Sequence, residues 1–206
     1  MRVVEFLSDV PKSFTNINCP YCCHDGVFQA IGYDIGINMN MAVGHRKCPN
    51  PRCRGHVFIV TNKDEILEMY PPSRIKFNKE QVPQSVVDVF LEAIECHAIG
   101  CFTAAAIMVR RTLEEICHDR QATGSNLQNR IKALQSKVVL PQELFDGLDL
   151  IRLLGNDAAH VESKEFSEIS VAQLDVAIEF TKEIIKSIYQ YESLLNKFKS
   201  LKTPPS

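Results

Sequence analysis

No uninterrupted apolar run in this 206-residue chain approaches the roughly 20 residues that a bilayer-crossing helix needs, so that class of membrane protein is excluded. An excess of charge of one sign is also missing. The formal charge is −2, and residues 1–70 carry as many acidic as basic side chains. No global electrostatic footprint of a nucleic-acid binder follows, which leaves room only for a local basic patch. Internal repeats are absent, and at 45% hydrophobic residues the chain lacks the low apolar content of a disordered one. The opening Met1-Arg2-Val3-Val4-Glu5-Phe6-Leu7 lacks the longer apolar core and cleavage site of a secretion signal, so a cytoplasmic location is the expectation.

What is present in quantity is cysteine, eight in all. Cys96, Cys101 and Cys117 fall in apolar helical segments, a distribution that fits reduced, buried thiols better than a secreted disulfide framework. Four others form two close pairs, Cys19-Pro20-Tyr21-Cys22 and Cys48-Pro49-Asn50-Pro51-Arg52-Cys53. Two thiols on each of two turns satisfy the tetrahedral shell of zinc, and the intervening chain is long enough for a hairpin that brings the turns together. Zn2+ on Cys19, Cys22, Cys48 and Cys53 is therefore expected. Such a metal gives a small β-rich segment the cohesion that its core cannot supply. Cys23, His24, His45 and His56 are near enough in sequence to compete as ligands. A shell filled by four thiolates leaves no open position for substrate, so the expected metal is structural.

Arg46, Lys47, Arg52 and Arg54 flank the second pair, with Tyr21 and Phe28 as nearby aromatics. They fit contacts to RNA or DNA, and they fit equally well the compensation of a four-thiolate site of net charge −2, or a protein contact. Short extended runs at 26–31, 34–39 and 56–60 read as strands that carry the cysteine turns. Residues 1–70 thus form a β module, residues 71–82 a proline-punctuated connector, and residues 83–202 a helical domain, before a disordered tail at 203–206.

The helical period places segments near 83–99, 101–120, 126–137, 142–157 and 171–199. In the second, Phe102, Ala105, Ala106, Val109, Leu113, Ile116 and Cys117 form an apolar stripe. Ser125 with Gln128, and Ser170 with Gln173, resemble capping boxes, and Pro141 suits the start of a helix. The last helix, about 29 residues at 1.5 Å each, would span roughly 43 Å. Its Ala177, Ile184, Tyr191 and Phe198 recur every seven residues beside a second series, Leu174, Ile188 and Leu195, that Thr181 interrupts. This predicts a homodimer contact through some of Ile184, Ile188, Tyr191, Leu195 and Phe198, against the alternative of internal packing with a frayed end.

Arg152, Asn156 and His160 recur every four residues, with Asp157 beside them and Gly155 suited to a close backbone approach. Histidine can move a proton and arginine can hold phosphate oxygens, so this face is the candidate site for metal-independent RNA cleavage. It also reads as a binding surface, or as a structural network in which Arg152 pairs with a carboxylate such as Glu114. In the second helix Arg110 with Glu114 and Arg111 with Glu115 form four-residue pairs, and His118 shares a face with Arg111.

The blocks Arg110-Arg111-Thr112-Leu113-Glu114-Glu115-Ile116-Cys117, Gly124-Ser125-Asn126-Leu127-Gln128-Asn129-Arg130-Ile131 and Arg152-Leu153-Leu154-Gly155-Asn156-Asp157-Ala158-Ala159-His160 together resemble the DUF4145 family over residues about 83–192. The resemblance implies a HEPN-like helical bundle that dimerises, behind an N-terminal zinc-ribbon-like module. HEPN members include metal-independent ribonucleases and noncatalytic domains. Where such nucleases carry an arginine directly before the polar residue of their motif, this chain has Gly155, and seven residues separate Arg152 from His160. The expected fold is α+β. The expected function is a noncatalytic nucleic-acid-associated or protein-interaction module, with a metal-independent endoribonuclease as the alternative.

Overall fold

The computed structural model describes residues 9–10, 16–63, 65–159 and 170–202. The chain divides into two compact units, Met1–Lys76 and Phe77–Ser206. The first is β-rich and the second helical, which is the expected α+β order.

In the first unit, strands β1 (Asp9–Val10), β5 (Asp34–Gly36), β6 (Met41–Lys47), β7 (His56–Asn62) and β8 (Glu65–Tyr70) lie side by side in that order, and β4 (Gln29–Ala30) also pairs with β6. Strands β2 (Asn16–Asn18) and β3 (Asp25–Val27) form a separate antiparallel hairpin. Every pairing is antiparallel, and β6 and β7 run in unbroken register from Met41 opposite Asn62 to Lys47 opposite His56. Along β7 the period of two is visible in burial: Val57, Ile59 and Thr61 face inward, while His56 and Phe58 face out. Ile17, Cys19, Phe28, Cys48, Val57 and Ile59 make the core, flanked by Cys53, Ile66 and Met69. Several of these core members are thiols of the two cysteine pairs, so the packing of the unit and the state of its cysteines are one question.

Four strands, β1, β2, β6 and β8, were not expected from the sequence. Met41–Lys47, which holds Arg46 and Lys47 of the basic residues flanking the second cysteine pair, is the central strand β6, and its Arg46 is fully buried. The Arg46 guanidinium donates to both carboxylate oxygens of Asp34 on β5, Nη1 to Oδ1 at 2.7 Å and Nη2 to Oδ2 at 2.6 Å. Charge in this position is tolerated because it is neutralised bidentately. Gly44 supplies the room, since a Cβ there would overlap both Arg46 and Asp34. Strand β8 covers the far side of β7.

In the second unit, helices α1 (Gln84–Ala98), α2 (Phe102–Asp119), α3 (Leu127–Leu134), α4 (Gln142–Ala159) and α5 (Val171–Ile185) lead through a π-helical turn, Lys186–Gln190, into α6 (Tyr191–Lys202). Helix α2 is central and packs on α1, α3, α4 and α5. It buries the expected stripe from Ala105 to Cys117, and also Thr112, whose hydroxyl donates to the Met108 carbonyl at 2.9 Å. The Ser170/Gln173 capping box opens α5 as expected. The box expected at Ser125/Gln128 is displaced by one residue: Asn126 is the N-cap and accepts from the Asn129 amide, while Ser125 accepts from the Asn129 side chain. Thr181, which interrupts the apolar series of the last helix, is buried with its hydroxyl donating to the Ala177 carbonyl at 2.8 Å. The residues of the expected tail, 203–206, lie outside the described residues.

Candidate metal centre and its surroundings

Each cysteine pair occupies a hairpin turn, the first between β2 and β3 and the second between β6 and β7. Backbone hydrogen bonds fold both turns tightly: Cys23 N–H donates to Cys19 O at 2.9 Å and Cys53 N–H to Asn50 O at 3.0 Å. The residue after the last cysteine of each pair, Cys23 and Arg54, adopts a left-handed φ of 54° and 52° respectively. The two turns therefore reverse the chain in the same way. Gly55 lets the Tyr21 ring lie against the second turn, where a Cβ would overlap it, and the Tyr21 hydroxyl donates to the His56 carbonyl at 3.0 Å.

This folding gathers Cys19, Cys22, Cys48 and Cys53 so that all four sulfur atoms lie within 4.8 Å of one another. Cys19 to Cys53 and Cys22 to Cys48 are each 3.8 Å apart. A tetrahedral shell with metal–sulfur bonds of about 2.3 Å has sulfur–sulfur edges of about 3.8 Å, so the cluster has the dimensions to hold a metal ion. Gly55 N–H and the Asn50 side-chain amide point at Cys53 and Cys22 sulfur, at 3.4 and 3.6 Å.

The thiols of the cluster are shifted in opposite directions. Burial raises the Cys48 thiol to about 12, opposed by the Asn50 backbone and reinforced by Cys19 and Cys22. Cys53 is likewise raised, chiefly by burial. At Cys22 burial also acts upward, but it is outweighed by hydrogen bonds from the His24 backbone and the other three thiols, which bring it down to about 7. Cys22 ionises readily while Cys48 and Cys53 resist, and a divalent ion at the centre would relieve that resistance.

Among the described residues the cluster includes none of Cys23, His24, His45 or His56. His45 and His56 instead bond to each other, Nε2 to Nδ1 at 2.8 Å. Burial, then His56, then Arg46 lower the pKa of His45. Of the remaining cysteines, Cys117 is buried and raised to about 11, mainly by burial. The expectation of buried thiols fails at Cys101, which is exposed, and at Cys96, which is partly so.

The basic group of the second turn is not one surface. Arg46 is committed to Asp34 inside the sheet and Phe28 is in the core, so neither belongs to a contact face. Arg52 and Arg54 are exposed and Lys47 is half-exposed. A feature missed in the sequence takes their place: His45, Phe58 and Tyr70 are Cα partners across β6, β7 and β8, and so share one face. His45 stacks on Phe58 with ring centroids 4.8 Å apart, and Phe58 and Tyr70 are 53% and 72% exposed. Lys47 pairs with His56 on the same face. The alternation His56-Val57-Phe58-Ile59 was the available signal, but the register that lines up three strands was not.

In the helical unit Arg152 donates through Nε to Asp149 at 2.8 Å, within its own helix, in place of the suggested Glu114. Glu114 takes both Arg110 at 3.5 Å and Arg111 at 3.8 Å, so the expected Arg111 pairing with Glu115 is replaced. Gly155 is the anticipated point of close approach: a Cβ there would overlap Arg110 of α2. His118 is exposed. Asn156 and Asp157 lie on the last turn of α4 with their side chains outside the described set, and His160 lies outside the described residues.

Residues 91–203 match the family model described as "Domain of unknown function (DUF4145)". No curated protein and no solved structure matches the chain.

Proposed function

The chain belongs to the DUF4145 family, and from that premise we propose a noncatalytic nucleic-acid-associated module in which structural zinc organises the recognition end and the helical unit assembles copies. Sulfur-only tetrahedral donors favour zinc or iron, and zinc is the structural ion that braces small β modules of this kind. Cys19, Cys22, Cys48 and Cys53 fill the shell, so the ion would brace the two hairpin turns and leave no position for substrate.

The observation that carries the recognition role is the row His45–Phe58–Tyr70 with Lys47 beside it. Exposed rings on a flat sheet face offer stacking to unpaired bases, and neighbouring cations offer phosphate contacts. Arg52 and Arg54 extend the basic character at the end of β7. Such stacking is worth about 1–3 kcal/mol per base.

Fluorescence anisotropy of zinc-loaded protein with labelled single-stranded RNA and DNA tests this. Phe58→Ala and Tyr70→Ala should each weaken binding about 5- to 150-fold, by the stacking energy lost, and Lys47→Ala should flatten the salt dependence. No binding at low salt, or binding indifferent to Phe58 and Tyr70, rejects the role and leaves the face to a protein partner.

A further inference from the structure

We propose that Cys96 and Cys101 form a reversible dithiol–disulfide pair, oxidised by peroxides, at the connection between α1 and α2. The connection closes with two specific backbone bonds, Cys101 N–H to Cys96 O at 2.8 Å and Gly100 N–H to His97 O at 3.0 Å, with Gly100 at φ 78°. This is the paired pattern of a Schellman helix end, at which a contact between the side chains of the two residues joined by the outer bond is common. Those two residues are both cysteine.

The reach is sufficient. Following ordinary backbone dimensions across the 2.8 Å hydrogen bond limits the Cα–Cα separation of Cys96 and Cys101 to about 6.7 Å. Disulfides span Cα separations of about 4.4–6.8 Å, so the backbone bond holds the two cysteines within the Cα range that a disulfide can bridge. Both thiols are reachable from solvent, since Cys101 is exposed and Cys96 is partly so. Neither belongs to the four-sulfur cluster.

Burial, then Glu92, Cys101 and Glu95, raise the Cys96 thiol, so the exposed Cys101 reacts first. Its thiolate attacks one peroxide oxygen and breaks the O–O bond, giving a sulfenic acid and a hydroxide or alkoxide that takes up a proton. The Cys96 sulfur then attacks the Cys101 sulfur. The S–S bond forms, and the sulfenic oxygen leaves as water with the Cys96 proton. Two electrons pass from the thiol pair to the peroxide, and an external thiol reverses the change. The switch sits beside His97, whose Nε2 meets Asp175 Oδ1 of α5 at 2.6 Å, so it lies where α1 is tied to α5.

The test treats the full, zinc-loaded chain with hydrogen peroxide, alkylates it, and digests it after Lys and Arg. Both cysteines fall on one peptide, residues 80–110, because no Lys or Arg lies between Lys79 and Arg110. The expected result is loss of alkylation at both sites, a peptide lighter by two hydrogens, and recovery of alkylation after dithiothreitol. In Cys101→Ser, Cys96 should remain open to alkylation. Persistent alkylation of both wild-type thiols, a stable sulfenic or sulfinic acid on Cys101 beside a free Cys96, or linkage of either to another cysteine would overturn the proposal.

Discussion

Arg46 holds both carboxylate oxygens of Asp34, at 2.7 and 2.6 Å, with side chains 0% and 3% exposed, and Gly44 leaves the space that the pair occupies. Removing one partner strands the other's charge inside the sheet. Asp34→Ala or Arg46→Ala should each cost about 3–5 kcal/mol in the stability of the β unit. Gly44→Ala should destabilise it too, by displacing the pair. Urea unfolding followed by a probe in the β unit measures these effects. A loss below about 1 kcal/mol for Asp34→Ala would show that the pair is not sealed from water.

His45 gives the unit a pH dependence. Burial, His56 and Arg46 hold its pKa below the ordinary histidine value, so near pH 6 the unfolded chain binds more protons at this site than the folded one. Stability from His45 therefore rises as pH climbs through the interval between its folded pKa and about 6.5, and is lost as pH falls through that interval. An NMR titration should show the depressed midpoint, and His56→Gln should raise it part of the way. A His45 midpoint at or above the ordinary value would contradict the geometry.

The assembly we propose would use the second half of the terminal helix. Ile184 and Ile188, named from the sequence as contact residues, are buried within the helical unit, whereas Tyr191, Leu195 and Phe198 are exposed together with Leu194 and Leu201. Leu195→Glu with Phe198→Glu should convert a dimer to a monomer while helix content stays, and Ile184→Ala should instead cost about 2–5 kcal/mol of stability. Light scattering across protein concentration decides it. A wild-type monomer throughout would refute the assembly role.

The noncatalytic reading predicts no cleavage of diverse single-stranded RNAs in the presence of chelator. Arg152 is engaged by Asp149. Cleavage by wild-type protein that disappears in a folded His160→Ala variant, and falls strongly in Arg152→Ala, would move the function to the ribonuclease alternative.

Local chemistry made part of this molecule legible. The cysteine turns, the α2 stripe and the Ser170 capping box each depend on residues a few positions apart, and each formed as read. Strand β6 was missed because its burial comes from a partner twelve residues earlier: Arg46 looks solvent-seeking until Asp34 neutralises it. The capping site at Asn126 moved by one residue because asparagine caps as well as serine does. The row His45–Phe58–Tyr70 needed the register of three strands, which no local pattern carries. Ile184 and Ile188 share their period with exposed neighbours, and only the packing of the helices separates the two sets.

The most direct test of the central claim is the metal itself, measured by elemental analysis and X-ray absorption on metal-replete protein, with Cys48→Ser in parallel. The account predicts one zinc per chain in a shell of four sulfurs at about 2.3 Å, lost in Cys48→Ser, where the β unit loosens while the helices persist; structural zinc contributes on the order of 10 kcal/mol in such modules. Absence of zinc, a histidine nitrogen in the shell, or an unchanged site in Cys48→Ser would contradict it.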